Sequence, residues 1–551
     1  MPRKNSQALA ERSALVALAL AAGILNYSIS GDKPPQTGEP RQIYAARQLL
    51  NDPRHPGNYT FYQDGAAVPG SREPFALAPV WPAILALPMR VFGEKPEALH
   101  LAMAPLTSLA VAASGLIAGA LGAPAVPAAC LAAISPLFAV HSSGLLPDLP
   151  ALALALLALL CFLNTRYAAG AIAFITASLM GLSILALFPV LVIASIWKGH
   201  PRSAYIWLGA ALAGSLAGPV ARLIMVPGTP PFIGNLAGLA PKGAYVLATL
   251  AATIVHPGIW WVLLGVRLRR PGRFHPAPSG QVAAAAALSL ILLVLLRAGG
   301  AWHNMHPLTL AFAPTGVNVP WFLGAGFAFA AWFMVLALES RGKDGAPTRF
   351  LLTWTASCVI GAVFSPVISA RLVIGALPAV VILLALDMKR LLPPRLLRPT
   401  AGALVCGTLW LANGLVGADM RSARAPGDIL KVAESALTKA GMRGVLTTDG
   451  GFQYQGMDRG FLLPARDPGA FAPGRALIIT DVAPMHSKIP AGLEIRRWAV
   501  LYSEAPELPL RTVNPRSSAG FHGNGWLPYS FSTEPLEKVV IARVVGGGKG
   551  R

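Results

Sequence analysis

Between Glu97 and Glu339 the sequence carries one acidic residue, Asp148, and the interval is filled by apolar runs separated by short basic loops. A soluble domain carries roughly 25% charged residues. In this 551-residue chain 13% are charged and 54% are hydrophobic. The runs are about 17–25 residues long, the length an α-helix needs to cross a hydrocarbon core of ~30 Å. The chain therefore reads as an α-helical multi-pass membrane protein.

The first span is predicted over 13–30, behind Arg3, Lys4 and Arg12. These cations place the N-terminus inside, by the rule that basic residues stay in the cytoplasm. The start looks like a signal sequence but has no clear small-x-small cleavage site, so it reads as a retained first helix. Apolar segments follow at 76–93, 97–121, 123–143 and 149–163, then 168–197, which can hold two short spans around Leu182. Further spans are predicted at 203–226, 243–266, 281–297, 317–338, 350–366, 371–387 and 400–418. Basic clusters at 198–202, 267–273, 341–349 and 389–398 are separated by even numbers of spans and fall on one side, but Asp148 joins loop 31–75 outside only if one of the three segments between them, 76–93 or 123–143 being the candidates, is re-entrant or interfacial. That gives about 13 crossings and an outside C-terminus. The net charge of +21 is spread over these loops and not gathered on one folded face, which argues for membrane orientation and against nucleic-acid binding. Cys130, Cys161, Cys358 and Cys406 all lie in apolar runs and read as small buried residues.

Residues 419–551 differ in character. Charge, Gly and Pro return, and no run is long enough to span. The stretch 427–440 patterns as an amphipathic helix, and 444–449, 476–481, 495–503 and 539–545 pattern as strands. A small α/β domain outside the membrane follows a transmembrane domain over 1–418. There is no internal repeat, so an inverted-repeat transporter has no support.

The mixed charges that the body lacks are concentrated in the first outer loop, 31–75. Glu39 precedes the helical run PRQIYAARQLL, with Pro40 at a favourable first position. It is either a helix-capping acid or a general base or cation ligand at the membrane surface. Tyr44, Leu49 and Leu50 are expected on the apolar side of that helix, with Arg41, Gln42 and Gln48 available to the polar side. Asp32 is the alternative acid, and Arg54 and Arg72 of the same loop could hold phosphate. Asp148 opens a span before Leu-Pro, where an N-cap is expected. Its isolation also suits a functional acid at a membrane boundary. Arg371 opens a span on the outer side, against the orientation rule. Its planar donors suit a phosphate. His303 and His306 lie in the outer loop 298–316 as loop residues or a metal pair, though no acid stands near them in sequence.

The order of GEPRQIYAARQLL (38–50), APVWPAILALPMRVFG (78–93), SPLFAVHSSGLLPDLPALALALLALL (135–160) and ARLVIGALPAVVILLA (370–385) resembles the GT-C superfamily of membrane glycosyltransferases. The resemblance is to family 39 in particular, with the protein O-mannosyltransferases and the lipid A aminoarabinose transferase. It implies a donor sugar on a polyprenyl phosphate, a membrane-lipid partner, and an acceptor that is lipid, glycan or protein, all at the outer face of the cytoplasmic membrane. By position Glu39 matches the second acid of the family's first-loop pair, with Gly38 in place of the first. Asp148 matches the acid of the second outer loop, and Arg371 the Arg of an Arg-Tyr-x-x-Pro stretch in which Leu372 replaces the Tyr. Magnesium or manganese on Glu39 and Asp148 is the cofactor this allows. A transporter or flippase, and an inactive membrane protein presenting its C-terminal domain, are the other two readings.

Overall fold

A computed structural model describes residues 2–36, 38–63, 66–72, 79–225, 239–268, 318–340, 345–365, 369–447, 451–464, 466–467, 469–480, 489–490, 492–503, 509–514, 519–521, 528–532 and 535–546. Most of them form helices around one extended apolar core. Among the described residues, five helices are long and apolar enough to cross a membrane: Leu9–Ser30, Pro96–Ala120, Ala346–Phe364, Ala370–Leu391 and Arg395–Lys439. Two bent helix pairs pass the same test together, each as a broken span or a re-entrant loop. Ala125–Ile134 meets Pro136–Ser142 at 61°, and Tyr245–Thr253 meets Gly258–Arg267 at 94°. Each break falls at a proline, Pro136 or Pro257, which has no N–H to continue the helix. A break frees carbonyls that lipid cannot satisfy. Here one break serves the other, since the Ser135 hydroxyl donates to the Thr253 carbonyl at 3.1 Å.

The segment 123–143, one of the two expected to depart from a straight span, is thus a bent pair. The other, 76–93, contains the short helix Val80–Phe92. The segment 168–197 divides at Gly181 into Tyr167–Met180, a 3-10 turn at Leu182–Leu187, and Phe188–Trp197. The expected span at 281–297 lies outside the described residues.

The helix Pro2–Ser30 packs on Met103–Ala120. Small residues permit the approach. A Cβ on Gly23 would stand 2.2 Å from the Ser108 hydroxyl and 2.6 Å from the Ala104 carbonyl oxygen. Gly23→Leu is expected to cost about 1–3 kcal/mol by overpacking, read as a lowered unfolding temperature of the detergent-purified protein. An unchanged temperature would show that the two helices do not approach this closely.

Three helix ends meet in a buried ion network. Arg267 binds both Glu339 and Asp387, and Trp332 Nε1 donates to Asp387 Oδ2 at 2.7 Å. Nearby, Arg349 donates to the Ser340 carbonyl and Arg390 to the Thr348 hydroxyl, and the Trp197 and Phe350 rings stack with centroids 5.5 Å apart. Four stretches carrying the basic clusters therefore converge on one end of the body.

The expected span 400–418 and the expected helix 427–440 are one element. Pro394–Lys439 runs for 46 residues without a break, with Pro399 and Pro426 inside it. The hydropathy falls near residue 419 and Pro426-Gly427 is a local stop signal, yet the helix runs through both, with Ile429, Leu430, Ala433 and Leu437 beyond the stop buried against the sheet. The four expected strands form one sheet. Gly444–Leu446 pairs parallel with Ala476–Thr480, which pairs antiparallel with Lys538–Gly546, which pairs antiparallel with Glu494–Tyr502. The far end of the long helix covers it, through Ile429, Leu430, Ala433 and Leu437 against Leu446, Ile478, Val539 and Ile541.

One C-terminal stretch leaves this unit. Leu510, Phe521 and Tyr529 are buried in the core of the helical body. The Tyr529 hydroxyl donates to the Ala252 carbonyl at 3.3 Å beside the second bend, and its ring meets Phe322 edge-on.

Candidate functional site

The helix Glu39–Asn51 begins with Pro40 in its first turn and no side-chain cap from Gly38. Glu39 is its first residue, and its carboxylate binds main-chain donors outside the helix. Its Oε2 accepts from the Gln36 N–H at 2.9 Å, while the Glu39 N–H donates to the Gln36 carbonyl at 3.0 Å. Its Oε1 accepts from the Leu145 N–H at 2.8 Å. The side chain is 1% exposed. Gly144 makes the approach feasible, since a Cβ there would stand 2.8 Å from Oε1. The Leu145 carbonyl in turn accepts from Trp81 Nε1 at 2.8 Å. Glu39 thereby clamps the first loop to the second, three residues before Asp148.

Asp148 is buried and starts the helix Asp148–Leu163. That helix packs against the 3-10 turn Ala370–Ala376, which carries Arg371. The same turn packs on Pro136–Ser142, and Trp354 Nε1 donates to its Gly375 carbonyl at 2.9 Å. Arg371 is half-buried, and among the described residues no carboxylate pairs with it. The elements bearing Glu39, Asp148 and Arg371 are thus contiguous, although the sequence separates them widely. The C-terminal stretch borders them. The Ser369 hydroxyl donates to the Phe521 carbonyl at 3.0 Å, and the Phe521 ring lies 5.4 Å from the His141 ring.

The other sequence candidates stand apart. Asp32 is exposed and forms an ion pair with Arg424 at 2.6 Å. Arg54 is exposed in the turn after the loop helix, whose last residue, Asn51, lies roughly 18 Å along its axis from Glu39 at 1.5 Å per residue. Arg72 ends a short 3-10 turn, Gly70–Arg72, and its side chain lies outside the described residues, as do His303 and His306. Glu39 gives both oxygens to main-chain donors. Among the described residues no group of three His, Cys, Asp or Glu could hold a metal ion.

The loop helix turns a different face inward from the one its hydropathy suggests. Gln42, Ile43, Ala45 and Ala46 are buried, and Leu50 is 38% exposed. The helix packs on Val80–Phe92, and Ile43 with the two alanines is buried, leaving Leu50 partly exposed. Tyr44 is directed to the C-terminal half. Its hydroxyl lies 3.6 Å from Met457 Sδ, and its ring is edge-on to Tyr454. The Tyr454 hydroxyl donates to Glu94 at 2.9 Å, and Glu94 also binds Arg47. Burial and the Glu94 charge push the Tyr454 phenol well above its usual range, so it stays a donor.

Sequence reasoning missed the most buried polar cluster. Lys33 Nζ and Asp419 Oδ2 lie 2.5 Å apart with both side chains fully buried. Asp419 Oδ1 accepts from Gln36 Nε2 at 3.0 Å and from the Thr512 hydroxyl at 3.2 Å. His100 Nε2 lies 3.2 Å from the Lys33 carbonyl oxygen. One signal was present: Asp419 is the only acid between Asp387 and Asp428.

No protein-family model matches the chain, and no curated protein matches it. Among solved structures it is similar to ArnT from Cupriavidus metallidurans bound to undecaprenyl phosphate, at 14% identity over 97% of this chain and 98% of that one, with a TM-score of 0.48. It is also similar to the archaeal oligosaccharyltransferase AglB from Archaeoglobus fulgidus in complex with an inhibitory peptide and a dolichol-phosphate. There the identity is 15% over 80% of this chain and 62% of that one, with a TM-score of 0.42.

Proposed function

We propose that the protein is a membrane glycosyltransferase that moves a sugar from a polyprenyl-phosphate carrier to an acceptor at the outer face of the cytoplasmic membrane. The observation that carries this reading is the hydrogen bond from the Leu145 N–H to Glu39. It draws the first-loop acid to the turn leading into Asp148, whose helix packs on the Arg371 turn. Transfer needs a base for the acceptor hydroxyl or amine and a cation for the departing phosphate, and this junction supplies both. Glu39, fixed by two N–H donors, takes the acceptor proton. Asp148 orients the acceptor. Arg371 grips the phosphate with paired N–H groups as the bond from the anomeric carbon to the phosphate oxygen breaks and the polyprenyl phosphate leaves. In this reading the C-terminal sheet and its long helix stand outside the membrane, on the side of the junction.

A second assignment is favoured by the 1% exposure of Glu39. In it Glu39 holds the turn and Asp148 takes the proton.

The test is a panel of radiolabelled undecaprenyl-phosphate sugars offered to the purified protein in liposomes, with release of undecaprenyl phosphate measured. At least one donor should be consumed. Arg371→Lys should slow that turnover about 10–10²-fold, because an ammonium does not reproduce a two-pronged grip. A folded protein that consumes none of the panel defeats the proposal.

A further inference from the structure

We propose that Lys33, Asp419 and Gln36 form a positioning unit that sets the Glu39–Leu145 junction from the C-terminal side of the molecule. The role in turnover rests on the reading above that Glu39 lies in the transfer site.

Gln36 is the hinge of the argument. Its side-chain amide donates to Asp419 at 3.0 Å, and its main-chain N–H donates to Glu39 at 2.9 Å. One residue therefore serves both carboxylates, and Gln36 cannot shift without moving Glu39. Asp419 is a fixed anchor. It sits on the 46-residue helix, is fully buried, and is neutralised by the equally buried Lys33. A buried ion pair is a poor way to gain stability, and its best-attested use is to fix one arrangement among several. The turn it fixes is enclosed by elements distant in sequence. Thr512 binds the same Asp419 oxygen as Gln36, and His100 meets the Lys33 carbonyl. A Cβ on Gly451 would stand 3.4 Å from the Pro35 carbonyl oxygen, so the helix Gly451–Met457 starts directly over the turn. Through this turn Asp419, Thr512 and the helix Gly451–Met457 are linked to Glu39, besides the direct contacts of Phe521.

Three variants separate a tether from bulk stability. Gln36→Leu keeps the main-chain N–H to Glu39 and cuts the link to Asp419. Lys33→Met with Asp419→Leu removes both charges and the acceptor. Lys33→Met with Asp419→Asn removes the charges but retains an oxygen for Gln36. Turnover of an undecaprenyl-phosphate sugar and hydrogen exchange of the 143–148 segment are measured on each full-length protein in liposomes. The first two should lose about 10–10²-fold in kcat, as expected for a group displaced by about 1 Å, with donor KM unchanged. Their 143–148 amides should exchange faster. The Asn variant should recover most of both. Unchanged exchange in Gln36→Leu overturns the proposal, as does an Asn variant as impaired as the Leu one. If exchange responds as expected while Glu39→Gln keeps full turnover, the positioning of the junction stands and the placement of Glu39 in the transfer site fails.

Discussion

Glu39→Gln is expected to lower sugar transfer by about 10²–10⁴-fold, the usual worth of a general base, and to lower stability as well. The second effect follows from the two main-chain donors that the carboxylate accepts, Gln36 N–H and Leu145 N–H. A glutamine has one oxygen, so its NH₂ must face one of those donors, leaving a buried N–H unsatisfied at about 1–3 kcal/mol. Activity must therefore be compared at a temperature where both proteins are folded, with unfolding followed separately. The pH profile assigns the base. A carboxylate that must be ionised makes kcat/KM fall on acidification. If Glu39 is the base, that acid limb disappears in Glu39→Gln. If the limb survives there and disappears in Asp148→Asn, Asp148 takes the proton and Glu39 holds the turn. Full transfer in both variants would remove both acids from the chemistry.

Arg267→Met is expected to destabilise the body by about 3–5 kcal/mol, because it strips the guanidinium from a buried carboxylate. The Asp387 side chain is 1% exposed, and Arg267 is the cation paired with it among the described residues. Trp332 would still donate one hydrogen bond, which does not neutralise the charge. Adding Asp387→Asn removes the charge and keeps an acceptor for the indole, so the double variant should recover more than half of the loss. Denaturant unfolding in detergent reads both. A single variant within about 1 kcal/mol of the wild type would mean that water reaches Asp387.

The parts of this fold that the sequence made legible are those written in local pattern. Of the strands at 444–446, 476–480, 494–502 and 538–546, 476–480 and 538–546 are runs rich in β-branched residues, and the breaks at Pro136 and near Leu182 are marked by residues that interrupt helices. What stayed hidden depends on partners. Lys33 and Asp419 are 386 residues apart, and nothing in either neighbourhood names the other. Glu39 was readable as an acid at a helix start, but its second partner is the main-chain N–H of Leu145, and a backbone donor leaves no trace in composition. The loop helix was oriented by its longest apolar residues, whereas the face it buries carries Gln42, Ile43, Ala45 and Ala46 and packs on Val80–Phe92. The long helix was cut in two because hydropathy changes at residue 419, although the i to i−4 ladder that sustains a helix is indifferent to what its side chains face.

The burial of Leu510, Phe521 and Tyr529 in the helical core bears on how the molecule is made. A ribosome delivers the chain from the N-terminus at about 5–20 residues per second, and the helices of the body are threaded into the bilayer well before these three residues emerge. Until then Ser369 lacks the Phe521 carbonyl, and Ala252 lacks the Tyr529 hydroxyl. Residues 510–529 close a core begun by the first helices, so the body finishes packing only after these residues have emerged. A nascent chain halted near residue 505 would sit in the membrane with its helices inserted and its core still open at His141.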